Sequence, residues 1–235
     1  DIAVSHPDLW AGLTAIGGRG DYGKDAPQYV TFYDDNAKHL PMYFVFGELD
    51  SGKLADNASH LNKYMRTGYD AIVVQYQGRG NEHFFEEIHN LFEWMNLHER
   101  TLPTDRDGEI EFTVNTMRPL DRFFWFTEFD GFPARTMTSP FAWPISRPRA
   151  AEVIGKINRR TNRIYVKSGA TRTTIWLSPE FMSFDEQLRL SVDGRKSPFV
   201  EFQPDLEIML EDARTRADRE HVFWSKIEIP PRRAG

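Results

Sequence analysis

The sequence predicts two domains of different class, an α/β domain with a small parallel sheet followed by an all-β domain. Two short apolar runs, residues 42–46 and Ala71–Tyr76, have the length and composition of strands that are buried on both faces. The segments between the apolar runs have helical spacing, and this alternation predicts parallel strands joined by right-handed crossovers. After Gly108 the apolar residues recur at every second position, which is the period of a half-buried strand.

The first domain begins with three short elements. Residues 2–11 predict a helix that is interrupted at Pro7, because proline disfavours helical geometry at the residue before it. Leu13–Ile16 is a short apolar strand, and residues 25–36 are a polar and aromatic segment that predicts a short surface helix. This segment is a candidate to overhang the site described below and to influence substrate choice.

Two longer helices are predicted after the strands. Residues 57–67 carry apolar side chains at helical spacing, and Gly68 is a typical C-terminal stop. Residues 84–100 have the clearest helical period of the chain. The face predicted to be buried carries Phe84, Ile88, Leu91, Phe92 and Met95. We therefore expect about three parallel strands with flanking helices.

The polar, turn-rich segment 101–108 predicts a linker, which gives domains at residues 1–104 and 105–235. Strands are expected at residues 109–116, 122–129, 151–157, 163–166, 173–177, 188–192 and 221–229. Asp193-Gly194 is a hairpin signal, and residues 204–217 predict one helix. Its expected inward face carries Leu206, Met209, Leu210 and Ala213. Short strands separated by turns are typical of an antiparallel sandwich or jelly roll.

The composition excludes several kinds of function. No run of eighteen apolar residues is present, so we expect no membrane span. The absence of cysteine excludes disulfides, thiolate metal sites and a cysteine nucleophile, but it does not fix the compartment. Residues 1–104 hold 8 Lys and Arg against 15 Asp and Glu, and this acidic half argues against a nucleic-acid partner. We find no phosphate-binding loop and expect no cofactor.

Chemistry-bearing side chains follow both buried strands. Asp50 follows residues 42–46, and His83 follows Ala71–Tyr76. Because the carboxyl ends of parallel strands share one edge of a sheet, a buried aspartate there can orient a histidine that acts as a general base. Each residue also has a structural alternative, since Asp50 can cap the next helix and His83 can lie on the surface of the helix that it precedes.

Four stretches carry a resemblance to a known family. They are residues 5–12 (S-H-P-D-L-W-A-G), 46–50 (F-G-E-L-D), 78–84 (G-R-G-N-E-H-F) and 92–95 (F-E-W-M). With these stretches, residues 1–100 resemble the C-terminal half of the α/β-hydrolase fold, in the branch of serine peptidases and esterases related to prolyl oligopeptidase and dienelactone hydrolase. Residues 105–235 resemble the all-β domain that follows the hydrolase in some large bacterial esterase-like peptidases. The resemblance implies hydrolysis of an ester or peptide, with Asp50 as triad acid and His83 as base.

The sequence departs from the family pattern in two ways. Asn81 stands where family members carry the histidine. Either His83, two positions later, serves as the base, or the base is lost. No Gly-x-Ser-x-Gly occurs, because Ser5, Ser51, Ser59 and Ser168 lack the flanking glycines. We therefore expect a hydrolase fragment without its nucleophile, inactive by itself. The alternative is a non-catalytic binding module for a carbohydrate or a protein on a degenerate hydrolase scaffold.

The resemblance implies that Leu13–Ile16 would pair with the nucleophile strand of a complete α/β-hydrolase sheet, and this sequence lacks that strand. An unpaired strand edge invites pairing with another chain. We therefore expect a homodimer through the Leu13–Ile16 edge, or strong dependence of residues 1–100 on the β domain.

Three other groups have ordinary explanations. The cluster Glu86, Glu87 and His89 lacks the spacing of a zinc site and predicts a solvated helix face. Arg159, Arg160 and Arg163 form a basic turn that alternating charges on a hairpin explain. The tryptophans of the second domain could form a carbohydrate platform, but aromatic residues on alternating strands usually pack in a core. They are Trp125, Trp143, Trp176 and Trp224.

Overall fold

The protein folds as two compact units, Asp1–Thr101 and Leu102–Gly235. A computed structural model describes residues 2–18, 30–50, 52–105, 107–116, 122–133, 136 and 149–230. The first unit is α/β with a parallel sheet, and the second unit is rich in β-strands with one helix among its described residues.

A three-stranded parallel sheet forms the centre of the first unit. Its strands are β1 (Leu13–Ile16), β2 (Met42–Gly47) and β3 (Ala71–Tyr76), in the order β1-β2-β3. The predicted parallel sheet is therefore confirmed. Strand β2 lies in the middle and is buried on both faces, which is why its sequence is continuously apolar.

Helices cover both faces of this sheet. They are α1 (Ile2–Ser5), α2 (Val30–Tyr33), α3 (Lys53–Thr67) and α4 (Ile88–Asn96), with 3-10 turns at Pro7–Leu9, Asp34–His39 and Phe85–Glu87. Helix α3 begins four residues before the predicted start and ends at Gly68, whose φ of +74° gives the expected left-handed cap. Met42 and Phe46 face α3, whereas Tyr43 and Val45 face α4.

The predicted inward face of the helix at residues 84–100 is wrong in part. The α-helix starts only at Ile88, and Phe84 reaches the core from the preceding loop with a φ of +45°. This shifts the buried stripe to Leu91 and Trp94 and leaves Phe92 60% and Met95 42% exposed.

The second unit contains two sheets. The strands are β4 (Ile110–Thr116), β5 (Phe123–Phe124), β6 (Thr127–Asp130), β7 (Ala151–Asn158), β8 (Arg163–Lys167), β9 (Arg172–Leu177), β10 (Leu188–Val192), β11 (Arg195–Val200) and β12 (Ser225–Ile229). One sheet has the order β11-β10-β8-β7-β4, and the other has the order β12-β9-β6-β5. Alternate side chains of both sheets enter one hydrophobic core, so the period of two seen in the sequence reflects burial of one face.

The five-stranded sheet is mixed, which corrects the expected antiparallel arrangement. Strand β10 runs parallel to β8, while its other neighbour β11 is antiparallel across the predicted Asp193-Gly194 hairpin. The parallel pair arises because β9 crosses to the other sheet between β8 and β10, so the chain returns in the direction of β8.

Helix α5 (Leu206–Arg216) packs on a face that the sequence did not indicate. Leu206 is 69% and Leu210 is 64% exposed, so their predicted inward orientation is wrong. The buried residue of the helix is Asp212, which accepts hydrogen bonds from Arg216 Nε at 2.5 Å and from the Phe223 amide at 2.9 Å. Polar contacts to the segment before β12 therefore set the rotation of α5.

Candidate functional site

The carboxyl ends of the parallel strands bring two loops together. Strands β2 and β3 both end at this edge, so Asp50 and the loop at residues 77–84 lie on the same side of the sheet. A Cβ atom added to Gly47 would lie 2.2 Å from the carbonyl oxygen of Gly80 and 2.5 Å from that of Arg79. Only glycine permits this approach, and it fixes where the second loop sits against the first.

Asp50 is buried with its carboxylate turned toward the neighbouring strand end. The residue is 2% exposed, and neither carboxylate oxygen accepts a hydrogen bond from the described residues. The Lys53 ammonium lies 3.1 Å from Asp50 Oδ1 and donates a hydrogen bond to the Gly17 carbonyl oxygen at 3.0 Å. The contact with Asp50 is therefore an ion pair without well-directed hydrogen-bond geometry, and Lys53 joins the ends of β1 and β2.

Asn81 shares the space around Gly17 with Asp50. A Cβ atom at Gly17 would lie 2.9 Å from Asn81 Oδ1 and 3.4 Å from Asp50 Oδ2. The φ of +59° at Gly17 also favours glycine. Asp50 and Asn81 thus converge on the end of β1, in the part of the sheet edge where the sequence predicted a base.

His83 points elsewhere. It is exposed, its ring centroid lies 5.6 Å from that of Phe85, and it does not hydrogen-bond to Asp50. The next residue, Phe84, is fully buried and stacks on Tyr76 at the end of β3, and it anchors the end of the loop. Earlier in the same loop the Arg79 guanidinium binds Glu82 through two nitrogens, at 2.9 and 2.5 Å. The loop brings Asn81 to Asp50 and leaves His83 at the surface.

A second acid–histidine pair, not predicted from the sequence, joins the 3-10 turn Asp34–His39 to α3. Asp34 is 4% exposed. Its Oδ1 atom lies 3.2 Å from His60 Nδ1 and accepts a hydrogen bond from the Tyr64 hydroxyl at 2.5 Å. Its Oδ2 atom accepts a hydrogen bond from Lys63 Nζ at 2.7 Å. Burial opposes ionisation, but these hydrogen bonds lower the pKa of Asp34 to about 2. The bond to Asp34 raises the pKa of His60. No local motif could reveal this cluster, because its partners are 26 or more positions apart.

This cluster locates the described part of the segment at residues 25–36, which was expected from the sequence to overhang the site. Residues 25–29 lie outside the described residues. The remainder is attached through Asp34 to the second half of α3. His60 lies seven positions after Lys53, which is at the sheet edge, and this is about 10 Å along the helix axis. Asp34 is therefore fixed on α3 away from the sheet edge, and the overhang of the site by the segment stays a prediction.

Glu87 is another buried carboxylate, and its predicted place on a solvated helix face is wrong. It is 3% exposed and accepts hydrogen bonds from the hydroxyls of Tyr43 and Tyr76, the latter at 2.6 Å. Burial would raise the pKa of Glu87, but these bonds lower it. Burial and the bond to Glu87 raise the pKa of Tyr43 to about 12, and the bond to Glu87 with burial raises that of Tyr76 to about 12. Within the described residues no group of three His, Asp or Glu side chains could hold a metal ion.

The remaining candidate residues have structural roles where they are described. The Ser5 hydroxyl donates to the Ile2 carbonyl oxygen, and the buried Ser168 lies against Asp193. Ser59 is exposed on α3, and Ser51 and Trp143 lie outside the described residues. Trp125 is buried against Phe112; Trp176 Nε1 donates to Glu128, and Lys226 covers its ring at 5.4 Å. Trp224 is 39% exposed.

Comparisons with protein families, with curated proteins and with solved structures found no match to this chain. None of the helices in the described ranges is both long and apolar enough to cross a membrane.

Proposed function

We propose that the first unit is the acid–base half of an α/β-hydrolase sheet, of the serine peptidase and esterase branch, that has lost catalysis and serves as a binding scaffold. Its three parallel strands end at one edge, with Asp50 after β2 and a histidine-bearing loop after β3. These positions are the ones that the triad acid and base occupy in that fold.

The convergence of Asp50, Asn81 and Lys53 at Gly17 carries this proposal. A triad aspartate must hold the imidazole in one tautomer and stabilise the imidazolium. At this edge the Lys53 ammonium already neutralises the carboxylate, and the side chain beside Asp50 is an amide that cannot accept and release a proton. Asp50 then stabilises the junction of β1 with α3 instead of orienting a base.

The second unit favours a protein partner over a carbohydrate. A sugar platform needs open aromatic faces, yet Trp125 is buried in the core and Lys226 covers the ring of Trp176. Among the described tryptophans of this unit, Trp224 alone is substantially exposed.

One observation favours a second candidate, an active serine hydrolase with Asp50 and His83. Buried polar groups are normally hydrogen-bonded, and the carboxylate oxygens of Asp50 accept no hydrogen bond from the described residues. The imidazole of His83 could donate a hydrogen bond to this carboxylate after a movement of the loop at residues 77–84. The nucleophile would then come from outside this sequence, which contains no Gly-x-Ser-x-Gly.

Labelling with a fluorophosphonate probe separates the two candidates. The protein is expressed from its complete reading frame and treated with the probe, alongside the same protein with Asp50→Asn. We expect no labelled serine in either protein. A labelled serine in a Gly-x-Ser-x-Gly elbow, with labelling that falls in Asp50→Asn, would establish the hydrolase and contradict the proposed scaffold.

A further inference from the structure

The outer face of the five-stranded sheet carries two arginines that have no acidic partner among the described residues. Arg163 on β8 and Arg189 on β10 are exposed and lie directly opposite each other in the parallel pair. Neighbouring strands are about 4.8 Å apart, so two positive charges occupy adjacent positions on the surface. Like charges in this arrangement destabilise a sheet.

The carboxylates on the neighbouring strands of this face already form ion pairs with lysines. Glu111 binds Lys156 at 2.5 Å, and Glu152 binds Lys167 at 3.1 Å. Arg163 and Arg189 form no ion pair within the part of the chain that the structure describes. Alternating charge on the hairpin therefore accounts for the two lysines and leaves the two arginines unexplained.

These residues belong to a larger basic surface. Arg159 and Arg160 lie exposed in the turn that joins β7 to β8, at the end of the sheet where β8 begins, and they too lack an ion pair among the described residues. We call Arg159, Arg160, Arg163 and Arg189 the arginine patch. Tyr165, 38% exposed, lies two residues along β8 on the same face. The patch is unneutralised in a chain that has 35 acidic and 29 basic residues.

We propose that the arginine patch binds an acidic segment of a partner protein. The guanidinium fork matches the geometry of a carboxylate, and Tyr165 adds a rigid aromatic contact surface. The affinity of a nucleic acid depends on phosphate neutralisation over many contacts, and the patch supplies four guanidinium groups. A short acidic segment requires only the local charge. The inference rests on the second unit alone, so its failure would leave the proposal for Asp50 and Asn81 intact.

Binding of a labelled deca-glutamate peptide to the whole chain tests the patch, with an oligothymidylate of the same length as the nucleic-acid probe. By fluorescence anisotropy we expect the peptide to bind, and to bind more weakly as salt rises. The double variant Arg163→Gln/Arg189→Gln should lower the affinity about tenfold or more. The matched control, Arg172→Gln/Arg214→Gln, removes two exposed arginines outside the patch and should leave the affinity unchanged.

The variant Arg163→Glu distinguishes a binding role from a structural one. It places a carboxylate opposite Arg189, so it should abolish peptide binding while raising the Tm by about 1–3 °C. Failure of the wild-type chain to bind the peptide, or equal binding by the Gln double variant, would overturn the proposal. Tighter binding of oligothymidylate than of peptide would overturn it as well and assign the patch to nucleic acid.

Discussion

At the scale of single residues, Gly47 determines the shape of the candidate site. The backbone carbonyls of Arg79 and Gly80 approach the position where any other residue would carry its Cβ. Backbone atoms cannot rotate away as a side chain can, so a larger residue must displace the whole loop at residues 77–84. The position of Asn81 beside Asp50 depends on this one missing methyl group.

The substitution Gly47→Ala should therefore destabilise the protein by about 1–3 kcal/mol through overpacking. Urea unfolding measures the change. Gly80→Ala is the matched control, because a Cβ there would meet open space and the φ of Gly80 is not left-handed; its effect should stay within about 0.5 kcal/mol. Equal effects of the two substitutions would show that the loop does not press on Gly47.

The Asp34 cluster should make stability depend on pH. The pKa of His60 is raised in the folded state, so its contribution is fully present below the unfolded value of about 6.5 and is lost as the pH rises through the folded value. The pKa of Asp34 is lowered to about 2, so its contribution is present above the unfolded value and is lost as the pH falls through about 2. The cluster should stabilise the fold most between these two ranges.

Urea unfolding at pH 5.5 and 8 measures the loss of stability at high pH in wild type, His60→Gln and His89→Gln. His89 is the control, because it is an exposed histidine on α4. Wild type and His89→Gln should lose stability between about pH 6 and 8, and His60→Gln should lose less. The same pH dependence in all three proteins would exclude His60 as its source.

At the scale of elements, β1 is an edge strand with little protection. Within the described residues β2 is its sole strand partner, and its side chains carry no charge. Ile16 is 42% exposed, and nearby in sequence Leu9 and Trp10 are also exposed. Charged residues, proline or bulges normally prevent such edges from pairing between molecules.

We predict that the chain self-associates through β1. Sedimentation should show a mass that rises with concentration, and Leu13→Lys or Ile16→Lys should return the protein to a monomer or precipitate it. Ile72→Lys on the other edge strand, β3, is the control and should leave the association unchanged. A wild-type monomer at all concentrations would contradict this prediction.

Helix rotation was the feature that sequence periodicity predicted least well. The stripe expected on residues 84–100 assumed one continuous helix, but Phe84 lies outside it and the phase changes at Ile88. On α5 the apolar residues Leu206 and Leu210 face solvent because the Asp212–Arg216 pair binds the backbone near β12. Both outcomes depend on contacts with distant segments, which a periodic pattern does not encode.

At the scale of the whole molecule, the sequence predicted the change from a parallel sheet to β-rich structure but not the pairing of every strand. Period and composition report which face of a strand is buried, and this was sufficient for β2, β4 and β7–β10. The prediction was wrong for β3, which was expected to be buried on both faces but lies at an edge of the described sheet with Ile72 40% exposed. Period and composition do not identify the neighbour of a strand, so the parallel pair β8–β10 and the opposed arginines it creates emerged only from the structure.

The location of the candidate site was predicted from the sequence, but its detailed geometry was not. The sheet edge could be located because Asp50 and the loop that carries His83 follow consecutive parallel strands. Which loop residue faces Asp50 could not be predicted, since Asn81 and His83 are two positions apart and the choice depends on the contact of Gly47 with Gly80.

The hydrolysis of p-nitrophenyl acetate by the protein from its complete reading frame tests the central claim most directly. If Asn81 has replaced the base, turnover should equal the uncatalysed background and should not change in His83→Ala. Loss of a triad member from an active enzyme typically lowers kcat by a factor on the order of a million. Inhibitor-sensitive turnover that collapses in His83→Ala would show that His83 reaches Asp50 and that the edge is catalytic.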